Sequence, residues 1–284
     1  MVEDDYFVDE DTPEVSVSER YELIRALKRG EVVLSHSSFN AFCNSPRHFI
    51  DYKLRTFEPT PSMKFGSMVH CAILDPEHFE SKYYVLPGSE HRPEQDKNMN
   101  SKINQAWKAE MILLANGREV VEAKDYDTAK RIGDSIRKSD VASVLLESCH
   151  AFEVQIEWEY KGFKWQGIMD GDGRKNGLIM DLKVLSDASP RKVANYVKYE
   201  GAGRQAVHYL RGSNAPEDCE YFILAVERSG NYSVSKLGRG LINQLSREID
   251  WYISQFKRCI FTGDWHSSFD FYGNQDGHFE INSL

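Results

Sequence analysis

The clearest hydrophobic pattern in the chain lies between Phe152 and Val184. Phe152, Val154, Ile156 and Trp158 alternate with Glu153, Gln155, Glu157 and Glu159, the period-2 signature of a half-buried strand. Lys161-Gly162 makes a turn, and Phe163 to Asp170 continues as a second strand. A loop carrying Gly171, Asp172, Gly173, Asn176 and Gly177 follows, and Leu178 to Val184 returns as a third strand. In that third strand Leu178, Met180, Leu182 and Val184 share one face, which leaves Ile179, Asp181 and Lys183 on the other. Asp170 ends the neighbouring strand across the hairpin. An acid inside the apolar run from Leu178 to Leu185 is costly to desolvate unless it is paired or binds a metal.

Around this meander the periodicity is helical. Ser35 is placed to cap a short helix through Phe39, Phe42 and Cys43 that stops at Asn44-Ser45-Pro46, and a second helix restarts at Pro46 and runs to about Leu54. Met63 to Leu74 reads as a helix with Phe65, Val69, Ala72 and Ile73 on its core side and His70 off that stripe. The polar stretch from Pro87 to Asn100 reads as a loop, and Ser101 to Ala115 and Tyr126 to Leu146 read as helices. After a break at Ser189-Pro190, two short helices over Lys192 to Tyr199 and Arg204 to Leu210 are expected. The second sets Gln205 and Tyr209 on one side, at i and i+4, and Arg204 and His208 on the adjacent side. Cys219 to Arg228 is an apolar run of strand length, Val234 marks a partner strand, and Leu241 to Ile260 is amphipathic.

Composition adds bounds rather than chemistry. The chain has 284 residues, 41% hydrophobic and 28% charged, which is the make-up of a globular protein able to bury a full core. No run approaches the roughly 18 apolar residues that a spanning helix needs, and the acidic start lacks a basic region followed by an apolar stretch, so neither membrane nor secretory signal is expected. The formal charge of -9 is unevenly placed: residues 1 to 19 hold eight acids and no base, leaving 36 acids against 35 bases elsewhere. Net charge therefore does not exclude a nucleic-acid partner, since a near-neutral body can hold a basic channel. Residues 1–33 are expected to be an acidic, disordered segment and 34–284 a single α/β domain with a central mixed sheet flanked by helices. The five cysteines are scattered, with no C-x-x-C pair, which points to reduced thiols in the cytoplasm and disfavours iron-sulfur and structural zinc sites.

Acid-x-Lys triplets are common here and mostly fall on helix or turn surface. Asp181-Leu182-Lys183 differs because it lies in an apolar strand, eleven residues after Asp170 across a hairpin. Metal-assisted phosphodiester hydrolysis needs such a set. Two carboxylates hold Mg²⁺ or Mn²⁺ through oxygen, the ion lowers the pKa of a bound water, and a lysine steadies the nucleophile. An imidazole such as that of His70 is a reasonable additional ligand where two ions are held.

The ordered pieces Leu34-Ser35-His36-Ser37, Phe65-Gly66-Ser67-Met68-Val69-His70, Gly167-Ile168-Met169-Asp170, Ile179-Met180-Asp181-Leu182-Lys183, Ala188-Ser189-Pro190 and Arg204-Gln205-Ala206-Val207-His208-Tyr209 resemble the PD-(D/E)XK nuclease superfamily. The resemblance is greater to its RecE-type (exonuclease VIII) phage and prophage exonucleases, and it spans about Leu34 to Trp265. It implies a restriction-endonuclease-like core, His70, Asp170 and Asp181 as ligands of Mg²⁺ (or Mn²⁺), two ions per site, Lys183 beside the attacking water, and Gln205 and Tyr209 as the Q-x-x-x-Y pair that positions lysine and DNA. It further implies 5′ to 3′ digestion of linear double-stranded DNA to leave 3′ overhangs, a ring-shaped homo-oligomer, a RecT-type single-strand annealing partner, and the bacterial cytoplasm as location. Other readings are another PD-(D/E)XK nuclease, either endonuclease or helicase-associated, and a non-catalytic DNA-binding module on the same fold. The cysteine-ligated cluster common in the helicase-associated group finds no match, because Cys219 and Cys259 stand too far apart.

Overall fold

The computed structural model describes residues 17–95 and 98–272. In chain order these form α1 (Val17–Lys28), β1 (Leu34–Ser35), α2 (His36–Asn44), α3 (Pro46–Leu54), α4 (Pro61–Leu74), α5 (Phe79–Lys82), β2 (Tyr83–Leu86), α6 (Lys102–Leu114), β3 (Glu119–Glu122), α7 (Ala123–Arg137) and α8 (Ala142–Glu147). Then come β4 (Ala151–Tyr160), β5 (Phe163–Gly173), β6 (Leu178–Leu185), α9 (Pro190–Tyr199), α10 (Ala202–Gly212), β7 (Glu220–Glu227), β8 (Tyr232–Lys236) and α11 (Arg239–Thr262). None of the described helices is long and apolar enough to cross a membrane.

The expected meander is the centre of the sheet. β4 and β5 are joined by Lys161 (φ 55°) and Gly162 (φ 86°), both left-handed, as a two-residue type I′ turn requires. β5 pairs antiparallel with β4 along one edge. Its other edge is shared: Trp165 and Gln166 pair with β1 in parallel, and only Gly171 to Gly173 pair with β6, antiparallel. β6 runs parallel to β7 over its full length, and β7 runs antiparallel to β8. The sheet is thus mixed and flanked by helices, as expected from the sequence, and it opens a fork between β5 and β6 just past Gly171.

Each face of the sheet has its own core. Met180, Leu182, Leu224 and Val226 pack against α4, α7 and α8, whereas Ile179, Tyr221, Ile223, Ala225, Trp165 and Met169 pack against α2, α3, α9, α10 and α11. In the second core Phe42, Phe49, Phe256 and Trp265 meet edge to face, the favoured geometry for aromatic pairs. The Ser35 cap is present, with the Ser38 amide bonded to its hydroxyl at 3.2 Å.

Two expectations need amendment, and one pair of strands has no counterpart in the periodicity. The helix read over Tyr126 to Leu146 is two helices, because the Ser139 hydroxyl accepts from the Ala142 amide (3.1 Å) and donates to the Ile136 carbonyl (2.9 Å), ending α7 and starting α8. Phe152 does not share a face with Val154, Ile156 and Trp158: Glu153 is left-handed (φ 51°), and the break sends Phe152 to the first core and the others to the second. β2 and β3 pair in parallel as a separate sheet, over four-residue stretches too short for a period to register. Of the segment expected to be disordered, residues 1–16 lie outside the described residues, and α1 follows with Leu27 buried and Arg20 paired to Asp51 at 2.6 Å.

Helix α4 is held close to α7 at Gly133, where an added Cβ would lie 2.5 Å from the Ala72 carbonyl oxygen and 2.9 Å from its carbon. The Arg137 guanidinium donates to that same carbonyl. Backbone cannot yield as a side-chain end can, so Gly133→Ala is expected to cost about 1–3 kcal/mol by forcing the helices apart. Urea denaturation of the variant beside wild type measures this, and an unchanged midpoint would refute the close crossing.

Candidate active site

Asp170 and Asp181 stand where β5 and β6 separate. Beyond Gly171 the strands no longer pair backbone to backbone, and Oδ2 of Asp170 accepts the Leu182 amide at 2.7 Å, closing the ladder with a side chain. Oδ1 of Asp170 is left facing Nδ1 of His70 on α4, 3.9 Å away. Asp181 is 1% exposed. Two residues on and on the same face, the Lys183 ammonium lies 2.9 Å from Oδ1 of Asp181 in hydrogen-bond geometry and 2.8 Å from Oδ2 outside it.

The fifth and sixth expected residues arrive from α10. Gln205 Nε2 donates to the Tyr209 hydroxyl at 3.2 Å. The Tyr209 ring packs against β5 at Gly167, where a Cβ would be 2.6 Å from its Cε1, which explains the glycine in Gly167-Ile168-Met169-Asp170. Tyr209 feels the charges of Asp181, Lys183 and Asp170, so Gln205 reaches the site through it. The adjacent side of α10 does something else. Arg204 donates to Asn40 (3.0 and 2.7 Å) and Glu248 (2.9 Å), tying α10 to α2 and α11, while His208 is buried against Trp165.

Burial, ahead of the charges, shapes the titration of this cluster. Burial raises Asp170 above the ordinary carboxyl value and, with Asp170 as a neighbour, pushes Asp181 up to about 6 against the pull of Lys183. Burial also works to lower Lys183, but Asp181 and Asp170 outweigh it and hold the ammonium charged above its ordinary value. His70 is driven down to about 4 by burial and by Lys183, so the imidazole is neutral at physiological pH and free to donate a lone pair.

Three further residues face this cluster. The Glu153 carboxylate acts electrostatically on both His70 and Asp170 from its left-handed position on β4. Tyr196 on α9 acts on Lys183, and Tyr221 on β7 acts with Asp181. Glu153 is one of three glutamates on the polar side of β4 in the sequence, whereas Tyr221 is hidden inside an apolar run where the ring passes for one more core residue.

Among the described residues no three His, Cys, Asp or Glu side chains form a ready-made coordination set. The donors nonetheless suit a hard divalent cation. Such an ion sits about 2.1 Å from nitrogen and oxygen, so Asp170 Oδ1 and His70 Nδ1, 3.9 Å apart, can share one. Asp181 adds a second, buried carboxylate beside them.

Residues 35–266 match the family model DUF3799, described as a PDDEXK-like domain of unknown function. The chain belongs to that family. Nucleases with a PDDEXK-like domain generally use divalent metals. A crystal structure at 2.19 Å from Eubacterium rectale, of a protein provisionally named an exonuclease, superposes on the DUF3799 chain with a TM-score of 0.55. It is 17% identical over 88% of this chain and 87% of that one, a likeness of fold. The structure of SSO0001 is 14% identical over 70% of this chain and 93% of that one, with a TM-score of 0.26. No curated protein matches the chain.

Two outcomes follow from the geometry. Asp170→Ala leaves the Leu182 amide buried without an acceptor and is expected to cost about 1–3 kcal/mol, whereas Asp170→Asn keeps an acceptor and spares the fold; chemical denaturation of both variants separates the two roles. Because Asp181 titrates at about 6 and a cation needs the ionised form, Mn²⁺ affinity of the DNA-free protein is expected to fall as pH drops through 6. The slope should approach about tenfold per pH unit for one proton displaced. Calorimetric titrations from pH 5 to 8 measure it, and a flat profile would exclude Asp181 as a ligand.

Proposed function

We propose that this protein is a divalent-metal-dependent deoxyribonuclease that digests linear double-stranded DNA from its ends, in the manner of the RecE-type exonucleases. The observation that carries this reading is the meeting of Asp170, Asp181, Lys183 and His70 at the β5/β6 fork, with Lys183 2.9 Å from Asp181 and His70 3.9 Å from Asp170. Phosphodiester hydrolysis places water against an anionic phosphate, and the site must supply positive charge on both sides of that attack.

Asp170, Asp181 and neutral His70 are the ligands in this reading. Bound Mg²⁺ or Mn²⁺ supplies Lewis acidity toward the phosphoryl oxygen and a more acidic bound water. Lys183 leaves Asp181 for the attacking water or a phosphoryl oxygen, where its charge stabilises the developing oxyanion. Tyr209, braced by Gln205 and seated on Gly167, holds the α10 side of the pocket and presents its hydroxyl beside Lys183 and the two acids. DNA binding rests mainly on phosphate contacts, since an enzyme that digests any sequence has no use for base readout. The RecE-type resemblance extends the reading to 5′ to 3′ polarity, 3′ overhangs, a ring-shaped homo-oligomer and a RecT-type annealing partner.

The test is release of nucleotides from linear duplex DNA labelled at the 5′ or the 3′ end, with and without Mg²⁺, beside covalently closed circular duplex. Metal-dependent release from linear DNA with the circle left intact is expected, and Asp181→Ala and Lys183→Ala should each lower the rate about a hundredfold or more. Cutting of the circle would make the protein an endonuclease, and no release by wild type would remove the enzyme reading altogether.

A further inference from the structure

Tyr221 lies on β7 opposite Ile179 of β6 and is fully buried. It shares a face with Ile223 and Ala225, the face toward which Asp181 and Lys183 project, and Asp181 is its diagonal neighbour two residues along β6. Neither the Tyr221 hydroxyl nor Oδ2 of Asp181 makes a hydrogen bond of ordinary geometry, although the phenol is close enough to the Asp181 carboxylate to interact with it. These are complementary orphans: a donor-capable phenol and an acceptor-only carboxylate oxygen. Among the ionisable groups around the phenol, Asp181 acts on it most strongly, ahead of Tyr209 and Asp170.

A buried phenol without a well-formed hydrogen bond is unusual, and a ring needed only for packing would be served by phenylalanine, which has no polar atom to desolvate. The orphan oxygen of Asp181 is also the one that Lys183 approaches to 2.8 Å without making a hydrogen bond. When Lys183 turns to substrate, Asp181 loses the group that fixes its rotation, and a ligand carboxylate works best when another donor holds it.

We propose that Tyr221 is a positioning residue for Asp181, donating its O–H to Oδ2 so that Oδ1 is presented to a divalent cation. The inference rests on the reading of Asp181 as a metal ligand. Tyr221 itself touches neither cation nor DNA, so its removal acts through the carboxylate.

The test is Mn²⁺ titration of the DNA-free protein by electron paramagnetic resonance, for wild type, Tyr221→Phe and Asp181→Ala, with thermal denaturation of each as the folding control. Tyr221→Phe is expected to fold as wild type and to bind Mn²⁺ about tenfold more weakly. Its nuclease rate should recover toward the wild-type value at saturating Mn²⁺, a change in apparent KM for metal rather than in kcat. If Asp181→Ala loses Mn²⁺ while Tyr221→Phe binds it as wild type does, the positioning role is wrong and the metal site stands. If Asp181→Ala binds Mn²⁺ as tightly as wild type, the site assignment fails and takes this inference with it.

Discussion

The hydrogen bond from the Leu182 amide to Asp170 is the constraint on which the site depends. Two antiparallel strands that start pairing at a loop normally continue to do so, because each abandoned backbone amide in the interior is costly. Here β5 turns aside to accept β1 on the edge that β6 would have used, and the Asp170 side chain meets the first amide so exposed. The fork stays open without an orphaned amide at that point, and the carboxylate that closes it is pinned with its other oxygen facing His70. One residue thus serves the fold with one oxygen and, in the proposed reaction, the chemistry with the other.

Charge explains why this arrangement is poised for a cation. Two carboxylates share the pocket with one ammonium, and His70 is held neutral by burial and by Lys183. Burial makes both acids resist ionisation, and their charge in turn holds the proton on Lys183. Packing cannot relieve this, since the four groups are fixed on three separate elements, α4, β5 and β6. A divalent ion would balance the sum, and in its place the Lys183 ammonium lies against Asp181.

What was legible in the sequence follows from periodicity and from motif order. The strict alternation of β4, the turn residues Lys161 and Gly162 and the misplaced acid at Asp181 announce the hairpin, the third strand and the site. His70, Gln205 and Tyr209 are recognisable only as parts of an ordered pattern, because each alone reads as an ordinary helical residue. What escaped is what periodicity averages away. The left-handed Glu153 reverses the facing of β4 with no change in its hydrophobic pattern, Ser139 divides a helix by hydrogen bonds that resemble any surface serine, and Tyr221 carries its one polar atom inside a run of apolar neighbours.

Helix α10 shows how closely support and chemistry are joined. Its Arg204 and His208 side is spent on the Asn40 and Glu248 hydrogen bonds and on packing against Trp165, which leaves the helix no freedom to rotate about its axis. That fixed rotation lays the Tyr209 ring on Gly167, and Gly167 is three residues before Asp170 on the same strand. Helix α10 thus bears directly on the strand that carries Asp170. The fold holds the site from both sides, by α4 through His70 and by α10 through Tyr209, and the sheet between them supplies the two acids and the lysine.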